Sequence, residues 1–133
     1  MVVLVVTAEM IQMAVILIVE DDLFIRDDAE FMIQDLGHLT LSAGGVDEAL
    51  ALLRAPQQID ALFTDIYLNK AVLGGYEIAN HAIKINLNLR VLYTTASAIN
   101  DEMKAMFVEG AQFLQKPYTQ IQLKISVGSL LAA

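Results

Sequence analysis

Short, unbroken apolar runs alternate along this chain with longer stretches in which apolar residues recur every three or four positions. Val15–Val19 is β-branched, apolar on consecutive residues and bounded by charge, the pattern of a strand buried on both faces. Leu23–Leu36 follows, with Phe24, Ile25, Phe31, Met32 and Leu36 on a rough helical stripe and Gly37 as a stop. The same alternation predicts strands at His38–Ser42, Asp60–Thr64, Arg90–Thr95 and Ala111–Leu114. It predicts helices at Val46–Leu53, Tyr76–Ile85, Asn100–Glu109 and Thr119–Leu130, with a loop at Asn69–Gly75. Alternating strands and helices of these lengths imply an α/β fold, a doubly wound parallel sheet covered on both faces. The flavodoxin-like (βα)5 arrangement, strand order 2-1-3-4-5, suits this size.

In such a sheet the ligand crevice lies beyond the carboxyl ends of the strands, at the point where the strand order reverses. The polar residues of this chain collect there. Glu20, Asp21 and Asp22 follow the first strand, Asp65 ends the third, Thr95 ends the fourth and Lys116 follows the fifth. The first and third strands are neighbours in this order, so their carboxylates should converge. Clustered carboxylates call for a hard divalent cation with oxygen ligands, Mg²⁺ or Mn²⁺. The competing explanation for Glu20–Asp22 is an N-cap and acidic first turn.

Composition narrows the function. The 133 residues suit one domain, 15–133, preceded by an N-terminal extension at 1–14. There is no Cys, which excludes disulfides, thiolate metal sites and a cysteine nucleophile. Eight Lys and Arg against 16 Asp and Glu give a net charge of −8, with no basic stripe for nucleic acid. No apolar run is long enough to cross a bilayer. Residues 1–14 lack the basic start of a secretory signal, so a cytoplasmic protein is expected. Two readings of that segment stand: translation starting at Met13, or an extra strand at Val2–Val6.

The motifs taken together resemble the receiver domain of a two-component response regulator, over Val15 to Leu131. The acidic pair in IVEDD, Asp65 in LFTD, the step Thr95–Ala96 and Lys116–Pro117 in FLQKPY occur in order, 44, 30 and 21 residues apart. The resemblance implies that Asp65 accepts a phosphoryl group as a carboxylate nucleophile. It implies Mg²⁺ held by Glu20, Asp21, Asp65 and the backbone carbonyl of Tyr67. Lys116 and Thr95 would contact the phosphate, and Phe113, where the family often has Tyr, would turn with Thr95 as the switch. The Lys116–Pro117 peptide is often cis in the family. Partners implied are a histidine kinase or phosphotransfer protein and a downstream protein. The fourth helix, fifth strand and fifth helix would form the docking or homodimer face. The chain would act as a stand-alone signalling domain, not as a turnover enzyme.

Other classes fit less well. A Mg²⁺-dependent aspartyl-phosphate phosphohydrolase usually carries a second Asp two residues after the nucleophile, where Tyr67 stands. A non-phosphorylated interaction module would not need the full set of side chains. A flavodoxin proper wants a Ser/Thr/Gly phosphate loop after the first strand, not Glu20–Asp22. The family pattern also breaks at Asn69, where Pro is usual, and in a longer loop before Gly74–Gly75. Tyr67 is expected to shield an acyl phosphate, beside small Ser97. Arg26 is expected to pair with Asp22 one turn earlier, and His38 and His81 to be surface residues.

Overall fold

The five apolar runs pair into a single parallel sheet in the order β2-β1-β3-β4-β5. The structure, a computed structural model, describes residues 13–69 and 72–133. The expected strand Val2–Val6 and the first twelve residues fall outside it. The strands are β1 (Val15–Val19), β2 (Leu39–Ala43), β3 (Ala61–Asp65), β4 (Arg90–Thr95) and β5 (Gln112–Gln115). The helices are α1 (Leu23–Asp35), α2 (Val46–Arg54), α3 (Gly74–Ile85), α4 (Asp101–Ala105) and α5 (Gln120–Ala132). The predicted strand order and class are those observed.

Alternation within each strand sorts side chains to the two faces. Leu17, Val19, Leu62, Val91 and Tyr93 enter one core layer with Leu50 and Leu53 of α2 and Ile78, Ala79 and Ala82 of α3. Ile16, Ile18, Ala61, Phe63 and Leu92 enter the other with Ala29 and Ile33 of α1 and Leu123, Val127 and Leu130 of α5. The continuous apolar composition of the inner strands follows from this two-sided burial.

Helix starts carry the expected chemistry. Asp22 caps α1, its Oδ1 accepting from the backbone N–H of Phe24 and Ile25 at 3.0 and 3.1 Å. Thr119 and Gln122 form a reciprocal capping box at α5. The α1 stripe is only half right: Ala29 and Ile33 are its buried residues, whereas Phe24 and Phe31 are 79% and 68% exposed.

One element is shorter than expected. The helix predicted over Asn100–Glu109 spans only Asp101–Ala105. Two tyrosines explain the early end. The Val108 N–H donates to Tyr93 Oη at 3.2 Å, and Tyr76 Oη donates to the Met103 carbonyl at 3.0 Å. Phe107 meanwhile packs its ring 4.5 Å from that of Tyr93. These contacts give the segment partners that a further helical turn would have taken away.

Candidate functional site

The carboxyl end of the sheet brings the predicted acidic residues together. Parallel pairing sets Val19 of β1 beside Thr64 of β3, so the residues that follow, Glu20 and Asp65, leave the sheet side by side. Glu20, Asp21 and Asp65 each place one carboxylate oxygen within 4.8 Å of the others. Glu20 and Asp65 are buried, at 4% and 6% exposure, and Asp21 is half-buried. Asp22, by contrast, is exposed and serves as the α1 cap, so the capping reading applies to Asp22, while Glu20 and Asp21 join Asp65 in the cluster. Asp21 Oδ2 accepts from the Asn69 N–H at 2.6 Å, tying the loop after β3 to the acidic turn.

Lys116 closes the cluster. Its Nζ lies 2.7 Å from Glu20 Oε2 and 2.8 Å from Asp65 Oδ2. The Lys116–Pro117 peptide is cis, as expected. Burial drives the Glu20 carboxyl upward to about 7; the Lys116 hydrogen bond opposes this and the Asp65 carboxylate adds to it. For Lys116 the balance is reversed. Burial alone pulls its ammonium down, but the bonds to Asp65 and Glu20 leave it above its ordinary value. Burial also pushes the Tyr118 phenol up to about 12. The site is thus a largely buried cluster with more negative than positive charge, which favours an added cation over an anion. Its three carboxylates are hard oxygen donors, and that donor set fits Mg²⁺.

Glycine shapes the seat of Asp65. A Cβ on Gly75 would overlap the Asp65 carbonyl oxygen and lie 2.9 Å from Ile66 Cα, and the Gly75 N–H donates to the Ile66 carbonyl at 3.0 Å. The loop between Asp65 and α3 is therefore pinched shut at its base, where only a residue without a side chain fits.

Thr95 sits buried at the end of β4, its hydroxyl accepting from the Ser97 N–H at 3.2 Å. Phe113 is half-buried on the opposite sheet face from Asp65, its ring 6.2 Å from that of Phe107. Tyr67 is 37% exposed, two residues beyond Asp65.

Two expectations are corrected. Arg26 does not pair with Asp22; its Nη1 donates to the Glu20 carbonyl at 2.9 Å, because the Asp22 carboxylate is already engaged in capping. His38 and His81 are both half-buried, not surface residues; His38 Nδ1 accepts from the Ala14 N–H at 3.1 Å, and burial lowers its pKa. One residue of interest went unread in the sequence. Gln115 Nε2 lies within hydrogen-bond distance of three backbone carbonyls around the site, sharing its two protons among them, and a polar residue directly before Lys116 was the available signal. Thr94, opposite Asp65 in the sheet, has the one buried side-chain polar atom without a hydrogen-bond partner among the described residues.

The family model for the response regulator receiver domain matches residues 16–127. The chain belongs to the response regulator receiver domain family. Solved receivers superpose closely on it. A response regulator receiver protein from Sinorhizobium medicae WSM419 is 28% identical with a TM-score of 0.83, covering 92% of this chain and 97% of that one. NtrX from Brucella abortus is 27% identical with a TM-score of 0.81; it matches 91% of this receiver domain, which spans 27% of NtrX. The receiver domain of a sensor histidine kinase from Pseudomonas aeruginosa PAO1, with a magnesium ion coordinated in its active-site cleft, shares the fold at 22% identity and a TM-score of 0.75, covering 91% and 99% of the two chains. No curated protein matches the chain. As a receiver domain it is a component of two-component signalling. No helix among the described residues is long and apolar enough to cross a membrane.

Proposed function

We propose that this receiver domain accepts a phosphoryl group on Asp65 and uses the modified state to change its protein contacts. The donor class is the phosphohistidine of a histidine kinase or phosphotransfer protein. The observation that carries the reading is the Lys116 ammonium held 2.8 Å from Asp65 Oδ2 beside two further carboxylates. In the transfer, an Asp65 carboxylate oxygen forms the new bond to phosphorus. The phosphorus–nitrogen bond of the donor breaks, and the imidazole leaves with the bonding pair and takes up a proton.

Glu20, Asp21, Asp65 and the Tyr67 carbonyl would hold Mg²⁺ or Mn²⁺. The ion would supply positive charge toward the equatorial phosphoryl oxygens. The chain's own groups do the rest. Lys116, already desolvated, exchanges its carboxylate partners for phosphoryl oxygen as a point charge. Thr95 accepts from Ser97 N–H, which leaves its own proton to donate to the phosphate. A shift of Thr95 would alter the packing around Phe113, and the face of α4, β5 and α5 would report it to a downstream protein or a second copy. The domain is a switch in the cytoplasm and not a turnover enzyme. The phosphohydrolase reading lacks its second Asp, the place being held by Tyr67.

Incubation with acetyl phosphate and Mg²⁺ tests this. Intact-mass spectrometry should find one added phosphate, mapped to Asp65 and absent from Asp65→Asn. Phosphate on another residue, or none, would refute it.

A further inference from the structure

Three backbone carbonyls at the mouth of the site converge on one side chain. Gln115 Nε2 lies 2.8 Å from the Thr95 carbonyl, 3.2 Å from that of Ser97 and 3.3 Å from that of Lys116. All three are acceptors, so the nitrogen end of the amide must face them. Thr95 and Gln115 are also partners in the β4–β5 register, and the Thr95 carbonyl accepts the Lys116 N–H at 3.0 Å. Gln115 thereby fastens the loop after β4 to the turn after β5. The first carries the Thr95 hydroxyl, set by Ser97 N–H, and the second carries the Lys116 ammonium, set on Asp65 and Glu20.

We propose that Gln115 is a positioning residue of the phosphoacceptor site, its amide fixing the spacing between the Thr95 hydroxyl and the Lys116 ammonium. The inference rests on the reading of Asp65 as acceptor. Gln115 makes its hydrogen bonds to the Thr95, Ser97 and Lys116 carbonyls, not to Asp65, Glu20 or Asp21, and acts through its neighbours. Phosphoryl transfer depends on placement of charges and donors more than on covalent chemistry. Slack between the two loops therefore costs rate without loss of cation affinity, since the cation's carboxylates sit on other strands and an ammonium drawn away from them competes less with a cation.

The side chain is exposed, so Gln115→Met keeps its length and removes the hydrogen bonds without leaving a cavity. Phosphate uptake from acetyl phosphate at saturating Mg²⁺ should slow by roughly tenfold, the scale of a small misplacement of aligned groups. The Mg²⁺ dissociation constant from calorimetry should not rise. In a Thr95→Ala background the same substitution should have a much smaller effect, because one of the two groups it aligns is gone. Gln115→Ala serves as a second variant and should behave alike. Uptake by Gln115→Met equal to wild type, with wild type phosphorylated on Asp65, overturns this inference alone. So does a tenfold loss that persists undiminished without the Thr95 hydroxyl, or a parallel loss of Mg²⁺ affinity. Failure of the wild-type protein to take phosphate on Asp65 overturns the acceptor reading and this inference together.

Discussion

Glu20 should make the protein less stable as the solution becomes less acidic, and Glu20→Gln should abolish that dependence. In the unfolded chain its carboxyl titrates near the ordinary 4.5; in the folded protein burial carries it to about 7. Below 4.5 both states hold the proton and Glu20 contributes no slope. Between 4.5 and 7 the unfolded chain releases its proton while the folded protein keeps it, so stability falls as pH rises. Each pH unit in that window corresponds to about 1.4 kcal/mol, so the whole effect is about 3 kcal/mol, complete above 7. His38 acts in the opposite sense: its lowered pKa makes folding more favourable as pH rises through its range. The difference between wild type and Glu20→Gln removes that contribution, which both proteins share. Urea unfolding in the presence of EDTA at pH 5, 6, 7 and 8 measures it. The variant should gain on the wild type by about 2 to 3 kcal/mol from pH 5 to pH 8. Mg²⁺ at pH 8 should erase most of that gain by neutralising the ionised cluster. A difference that stays constant across this range would refute the placement of a desolvated carboxyl beside Asp65.

Further outcomes follow from other parts of the molecule. Gly75→Ala should destabilise the fold by about 2 to 4 kcal/mol and slow phosphorylation, because the new methyl group must displace the backbone of Asp65 or Ile66; thermal unfolding and phosphate uptake report both. Tyr67→Asn should shorten the lifetime of the phosphorylated state by opening it to water, measured as phosphate release after donor removal; an unchanged or longer lifetime rejects the shielding role. Thr119→Ala removes half of the α5 capping box and should cost about 1 kcal/mol in urea unfolding, leaving Mg²⁺ affinity intact.

Much of this architecture was legible in the chain because the inner strands are buried on both faces. Val15–Val19 and Leu62–Thr64 cannot alternate, and their carboxyl ends announce themselves by an abrupt change to charge. The convergence of Glu20, Asp21, Asp65 and Lys116 then follows from strand order alone. What stayed hidden depends on contacts between distant positions. Nothing near Met106 signals that Tyr93, 15 residues upstream of Val108, will take the N–H of that residue and end α4 early. Arg26 was placed by a local spacing rule, and it lost because Asp22 already served two backbone donors. Phe24 and Phe31 fit a helical stripe yet face outward, since Ala29 and Ile33 are the residues that meet the sheet. Gln115 meets the carbonyls of Thr95 and Ser97, 20 and 18 residues upstream, contacts that a polar residue at a strand end does not by itself announce.

The pinch at Gly75 has a consequence for variation in this loop. Its stem is fastened at Ile66, and its Asn69 N–H holds Asp21. An exchange between acceptor and helix is therefore felt by the carboxylates too, so recognition of other proteins and the chemistry beneath it vary together.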